Sequence, residues 1–239
     1  IRTGVIRCAY INWKPYSFKD PLHPELPPQG SSVDIISAIA DRLDLRIEYT
    51  EEIGWGDIGI GFSTNRYDAV CTQMWPDSGK MKSFLLSTPL FYSDIFPYKN
   101  NGDLRFRSAD TINQPSTRIA VVDGAFTEKL AKKVFPKATL VRLSPTSNSA
   151  EYYLNLTTKK ADIILSDADE VAAQNEIARL SIEKTEGIAP VRVLPHVFAF
   201  PGNDPRFAEM MDGALEQLKV EGHMEGIASR YHLFARPAQ

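Results

Sequence analysis

YDAVCTQMWPDSGKMKSFLLSTPLFY, residues 67–92, is the stretch on which the reading of this chain turns. Asp68 is followed by a short apolar run, Ala69-Val70-Cys71, that reads as the end of a buried parallel strand. Thr72-Gln73-Met74-Trp75-Pro76 is too polar, and too broken by proline, to continue that strand. Lys80 and Lys82 lead into Phe84-Leu85-Leu86, and Ser87-Thr88-Pro89-Leu90-Phe91-Tyr92 closes the unit. In an open α/β sheet the loop leaving a strand's carboxyl end is where ligands are held. Here that loop carries hydroxyl, amide, indole and ammonium groups between Thr72 and Lys80, so it reads as one wall of a binding cleft.

Upstream, residues 4–9 have strand character, and Tyr10-Ile11-Asn12-Trp13-Lys14-Pro15-Tyr16-Ser17-Phe18 leaves that strand. Pro21, Pro24, Pro27 and Pro28 make an extended loop ending at Gly30. Ser31 and Ser32 read as caps of a helix in which Val33, Ile36, Ile39, Ala40 and Leu43 recur at helical spacing. Residues 45–49 are the next strand, and a second crossover runs from Trp55 to Asn65. Strand, helix, strand, helix, strand is the pattern of a parallel sheet with crossovers.

Downstream of Tyr92 the pattern restarts. Residues 110–115 form a polar helical segment, and Arg118-Ile119-Ala120-Val121-Val122 a strand. The loop Asp123-Gly124-Ala125-Phe126-Thr127 leads into a helix whose Phe126, Leu130 and Val134 share a face. Residues 139–143, 149–159 and 161–167 supply a strand, a helix and a strand with its exit loop. Residues 192–200 are one more apolar strand, and Asp204-Pro205 opens the final helices with a cap and a first-turn proline.

The bulk numbers exclude several classes. At 239 residues there is core enough for one large domain or two smaller ones. The composition, 43% hydrophobic and 24% charged, is that of a globular protein, and no apolar run is long enough to span a membrane. A formal net charge of −3 without a basic block argues against nucleic acid as a partner. The chain starts at Ile1 with no charged-then-apolar leader, so a secretory signal is expected to have been removed or never to have existed. Cys8 and Cys71, each inside a strand, read as small buried hydrophobes rather than as a bridge. His23, His196, His223 and His232 lack metal-ligand spacing, so neither a metal nor another cofactor is expected.

Four motifs in order resemble the bacterial extracellular solute-binding proteins of family 3, the periplasmic receptors of polar amino acid ABC transporters. Lys14-Pro15-Tyr16-Ser17-Phe18 resembles the family's Pro-Phe/Tyr signature after the first strand, and residues 30–43, GSSVDIISAIADRL, are similar to its glycine–acidic–helix motif. Ser87-Thr88-Pro89-Leu90-Phe91-Tyr92 is similar to its crossing into a second lobe, and residues 204–231 resemble its C-terminal helices, including the Gly222-His223-Met224 break. The resemblance implies a two-lobed type II periplasmic-binding-protein-like α/β fold. Each lobe would be a mainly parallel sheet flanked by helices, with two hinge strands near residues 93–98 and 192–198. Residues 1–94 and 197–239 would form the discontinuous first lobe and 95–196 the second, closing over a ligand held between them.

The same resemblance assigns ligand positions one at a time. Trp13 would stack on the ligand, with Tyr16 beside it, and Trp55 would line the pocket from the second crossover. Thr72, Gln73 and Trp75 would contribute hydroxyl and backbone contacts, and Lys80 stands where the family has a carboxylate-gripping arginine. In the second lobe Gly124-Ala125-Phe126 matches a Gly-Ser/Thr-Thr loop, so that Ala125 and Phe126 replace two hydroxyl residues. Asp167 matches the acidic group that pairs with a ligand amine, and the first-lobe acidic position falls at Tyr10. Asp167 also stands in an acidic run with Asp162, Asp169 and Glu170, which alone would read as a solvated loop.

The reading that follows is a monomeric, non-enzymatic periplasmic receptor. It captures a small polar or cationic solute (an amino acid, an amine or a betaine-like compound) and delivers it to a membrane-embedded ABC transporter permease. One alternative is an enzyme on the same scaffold, resembling cyclohexadienyl dehydratase, for which Asp167 is the sole carried-over acid and has no nucleophile–base pair beside it. Another is the ligand-sensing domain of a membrane receptor.

Overall fold

The structure is a computed structural model that describes residues 4–77, 81–145 and 147–238. The chain divides into two compact units, one made of Ile1–Tyr92 with Pro195–Gln239 and the other of Ser93–Leu194.

The first unit opens with β1 (Val5–Tyr10), α1 (Ser31–Arg42), β2 (Arg46–Glu52), α2 (Ile58–Ser63), β3 (Ala69–Met74) and β4 (Phe84–Leu86). β1 is the middle strand, parallel to β2 on one side and to β3 on the other. Successive side chains of a strand face opposite ways, and the two cores follow that alternation. Cys8, Ala69 and Cys71 join Ile35, Ile36 and Ile39 of α1 in one cluster, while Ala9, Val70 and Met74 join Ile58 and Phe62 of α2 in another. All six residues of β3 are buried, which is the cost of lying under helices on both faces. β3 extends through Thr72, Gln73 and Met74, where the sequence suggests a loop. The polar side chains are tolerated in the strand because each finds a partner, as described below.

Two expectations are corrected here. Cys8 and Cys71 are bonded to each other, not free, with Cα atoms 5.5 Å apart across the β1–β3 pair. Strand periodicity shows which face a cysteine occupies, but not which strand lies beside it. Ser31 and Ser32 are the first residues of α1 rather than its caps; the N-cap is Gly30, at φ 130°. A Cβ there would lie 2.4 Å from the Tyr16 carbonyl oxygen. The orphan N–H groups of Ser31 and Ser32 are accepted by the carbonyls of Pro15 (3.2 Å) and Tyr16 (2.8 Å).

β5 (Phe91–Asn100) carries the chain into the second unit. There follow α3 (Ala109–Ile112), β6 (Arg118–Val122), α4 (Phe126–Val134), β7 (Thr139–Leu143), α5 (Ser149–Thr157), β8 (Ile164–Ser166), α6 (Ala168–Ile177) and β9 (Ile182–Lys184). β6 and β7 pair in parallel, whereas β8 and β9 run antiparallel to β5. The core gathers Tyr98, Ala120, Tyr152, Tyr153, Leu156, Ile164, Val171 and Ile182. α6 carries no apolar stripe: it buries Asp169, Glu170 and Gln174 together with Val171 and Ala173, so periodicity does not reveal it. The acidic run is not a solvated loop. Asp162, Asp167, Asp169 and Glu170 are all buried, and Asp162 accepts from Arg105 and from the backbone and side chain of Arg118.

β10 (Arg192–Pro201) returns to the first unit, pairing antiparallel with β3 and, on its other edge, with β4. α7 (Pro205–Val220) starts as its sequence requires, with the Asp204 carboxylate accepting from Phe207 N–H at 3.0 Å and proline in the first turn. Gly222, at φ 76°, breaks α7 from α8 (His223–Arg230). Both helices pack Phe207, Met211, Leu215, Leu218 and Met224 onto the first unit's core. The chain ends with β11 (Arg236–Pro237) paired to the start of β5.

Candidate functional site

The first unit brings Trp13, Tyr16, Trp55 and Trp75 together at the carboxyl ends of β1, β2 and β3. Leaving β1, the chain makes a tight turn in which Trp13 N–H donates to the Ser17 carbonyl (2.7 Å) and the N–H groups of Tyr16 and Ser17 donate to the Trp13 carbonyl (2.9 and 3.0 Å). The Lys14–Pro15 bond in this turn is cis. Its carbonyls cap α1, and Gly30 allows the close approach, so Trp13 and Tyr16 are presented by a rigid loop. Trp13 lies edge-on to Tyr16, Trp55 and Trp75 at centroid distances of 4.6, 5.3 and 5.4 Å. Against its other side His196 stacks at 5.8 Å with only 9° between the planes.

His196 is the residue that sequence reasoning missed. It sits on β10 and is fully buried. The Trp75 indole N–H donates to its Nε2 at 3.1 Å, and the Gln73 side-chain amide lies 2.8 Å from its Nδ1. Tyr16 tilts against the same ring at 5.1 Å. Burial lowers the His196 pKa to about 3, so the ring is neutral at ordinary pH. The available signal was a single polar residue inside the apolar run 193–200. Gln73 is anchored in turn through its backbone N–H, which donates to the Ser32 hydroxyl at 3.0 Å.

Two candidates of the first unit lie apart from this cluster. The Thr72 hydroxyl accepts from Ile11 N–H (2.8 Å) and donates to the Ile11 carbonyl (3.2 Å), which commits it to stitching β1 to β3. Tyr10 turns toward β2 and donates to Glu52 at 3.2 Å. Burial, with the Glu52 carboxylate adding to it, pushes the Tyr10 phenol up to about 12. Its ring borders a separate hollow of about 520 Å³ that Lys19, Glu25, Tyr49 and Glu51 also line. Lys80 lies outside the described residues.

Indoles thus gather around one neutral imidazole at strand ends of a parallel sheet, with Trp13, Tyr16 and His196 buried and Trp55 and Trp75 half-buried. The sequence profile of the bacterial extracellular solute-binding proteins, family 3, matches residues 6–234. The chain belongs to that family.

Solved structures agree on the fold, which is that of the type II periplasmic binding proteins. This family 3 chain superposes on an ancestral amino acid-binding protein, a precursor of cyclohexadienyl dehydratase, with a TM-score of 0.81 at 22% identity, covering 96% of each chain. An ancestral arginine-binding protein bound to arginine gives 0.80 at 19% identity, covering 95% of this chain and 98% of that one. Among curated proteins, it is 22% identical to cyclohexadienyl dehydratase of Pseudomonas aeruginosa over 179 residues, 74% of this chain. It is 30% identical over 64 residues, 27% of this chain, to a probable amino-acid ABC transporter-binding protein of Haemophilus influenzae. The matches span 64% and 24% of those relatives' own lengths.

The remaining candidates of the family 3 chain lie in its second unit. Asp167 is buried and caps α6, its carboxylate accepting from Glu170 N–H at 2.8 Å. Ala125 is the N-cap of α4 and Phe126 its first residue, both half-buried. That N-terminal turn already holds a carboxylate: Gly124 N–H donates to Glu128 at 3.2 Å. Lys132, first, and Arg142 hold the Glu128 pKa down at about 2.

Proposed function

We propose that this family 3 solute-binding protein captures a small solute carrying positive charge and delivers it to a membrane-embedded ABC transporter permease. The solute class is a cationic amino acid, an amine or a quaternary ammonium compound such as a betaine. The observation that carries this reading is the cluster of Trp13, Tyr16, Trp55 and Trp75 around a histidine kept neutral by burial. Aromatic faces carry negative potential and attract cations, most strongly where water is excluded. A neutral imidazole behind them adds no competing charge. Arginine is the bound molecule in three of the solved structures with this fold, among them one from Streptococcus pneumoniae at a TM-score of 0.81 and 15% identity. The Cys8–Cys71 disulfide suits an oxidising, extracytoplasmic compartment, and among the described residues no helix is long and apolar enough to cross a membrane.

The test is calorimetric titration with L-arginine and its uncharged isostere L-citrulline. A desolvated cation–aromatic contact is worth about 1–2 kcal/mol, so arginine is expected to bind about tenfold or more tightly. Equal affinities would remove the charge from the reading.

The dehydratase relative raises a second reading, an enzyme on this scaffold. Such chemistry needs a proton donor at the bound molecule. A histidine with a pKa near 3 carries no acidic proton at neutral pH. Turnover of a cyclohexadienyl substrate by the purified protein would favour that reading over ours.

A further inference from the structure

We infer that His196 is a positioning residue, fixed in its Nδ1–H tautomer, that aims the Trp75 indole and the Gln73 amide and backs Trp13 with an uncharged ring. The inference rests on the solute-binding reading of the same cluster and adds to it the part that sets the cluster's shape.

The tautomer follows from what each partner is able to do. An indole N–H donates and cannot accept, so the 3.1 Å contact from Trp75 requires a bare, accepting Nε2. A neutral imidazole then carries its proton on Nδ1. That N–H points at the Gln73 side-chain amide 2.8 Å away and needs its oxygen rather than its nitrogen. The amide's oxygen and nitrogen exchange places by a half-turn. In the sense described, Gln73 Oε1 is buried without a partner, and the half-turn puts that oxygen on Nδ1–H. One ring thus satisfies a donor-only indole on one side and an amide acceptor on the other. It joins the exit of β3, which carries Gln73 and Trp75, to β10.

The same arrangement keeps the ring neutral. Protonating Nε2 would oppose the Trp75 N–H with a second donor 3.1 Å away.

Nitrogen-15 NMR of ligand-free protein tests the tautomer directly. His196 is expected to keep Nδ1 protonated and Nε2 bare between about pH 5 and 8, and the opposite tautomer or an imidazolium overturns the inference. Two variants test the positioning. His196→Phe keeps a ring without nitrogens, whereas His196→Gln keeps a donor and an acceptor. Trp13, Trp55 and Trp75 are the protein's three tryptophans, so intrinsic emission reports this cluster alone. His196→Phe is expected to shift the emission of the ligand-free protein and His196→Gln to restore most of it; identical emission from the two overturns the positioning role. With L-arginine as probe, the orphaned indole and amide should weaken binding about tenfold in His196→Phe and only about threefold in His196→Gln. If wild-type protein fails to bind L-arginine, the solute reading falls, while tautomer and emission still decide the role of His196.

Discussion

Acidification should destabilise this protein through His196 well before its carboxylates are protonated. In the unfolded chain the imidazole has its ordinary pKa of 6.5, and in the folded protein burial lowers it to about 3. Between those values the unfolded state binds a proton that the folded state refuses. Stability is therefore complete above pH 6.5 and is lost as pH falls toward 3. At pH 5 the linkage amounts to about 2 kcal/mol relative to pH 7.5. His196→Gln removes the titrating group and leaves every other one in place. The assay is urea unfolding of both proteins at the two pH values, with equal slopes required so that midpoints compare directly. The wild type should lose about 2 kcal/mol more than the variant between them. Asp68, Asp103 and Asp162, held low in the folded state, contribute losses at more acid pH that are common to both proteins. Equal losses would mean that His196 accepts a proton where it lies and would refute the argument from burial.

Two further outcomes follow from the first unit alone. The Cys8–Cys71 bond closes a loop with a sequence separation of 63 residues, so Cys8→Ala/Cys71→Ala should cost about 4 kcal/mol by the loop-entropy relation. Thiol titration of the unreduced, denatured protein should find no free cysteine. Gly30→Ala forces a Cβ to 2.4 Å from the Tyr16 carbonyl at φ 130°, and should lower stability by about 2 kcal/mol or more. Calorimetric melting reads this as a fall of at least about 4 °C, together with weaker L-arginine binding if Tyr16 belongs to the site.

Wherever local chemistry repeats at a fixed period, the elements were legible. The strands Arg118–Val122 and Thr139–Leu143 stand where their apolar runs place them, and the Asp204-Pro205 start of α7 where its capping chemistry does. Trp13, Tyr16, Trp55 and Trp75 were legible as candidates because they follow strand ends, Gln73 through the family resemblance although it lies inside β3, and folding brings them together. α6 was not, since it buries carboxylates and an amide where a helix ordinarily shows an apolar stripe.

What the amino-acid order determines by itself is periodic: which segments are strands, which face of each is apolar, and the motif order that marks family 3. Which strand lies beside which is a tertiary matter. It pairs Cys8 with Cys71, two residues that read separately as buried hydrophobes. It commits the Thr72 hydroxyl to Ile11 and turns Tyr10 toward Glu52 and Tyr49. It also brings His196, 121 residues further along the chain, onto the Trp75 indole. The physical reason is that a hydrogen bond between side chains depends on distance and direction in space. Sequence spacing encodes those only within one element, where backbone geometry is known in advance.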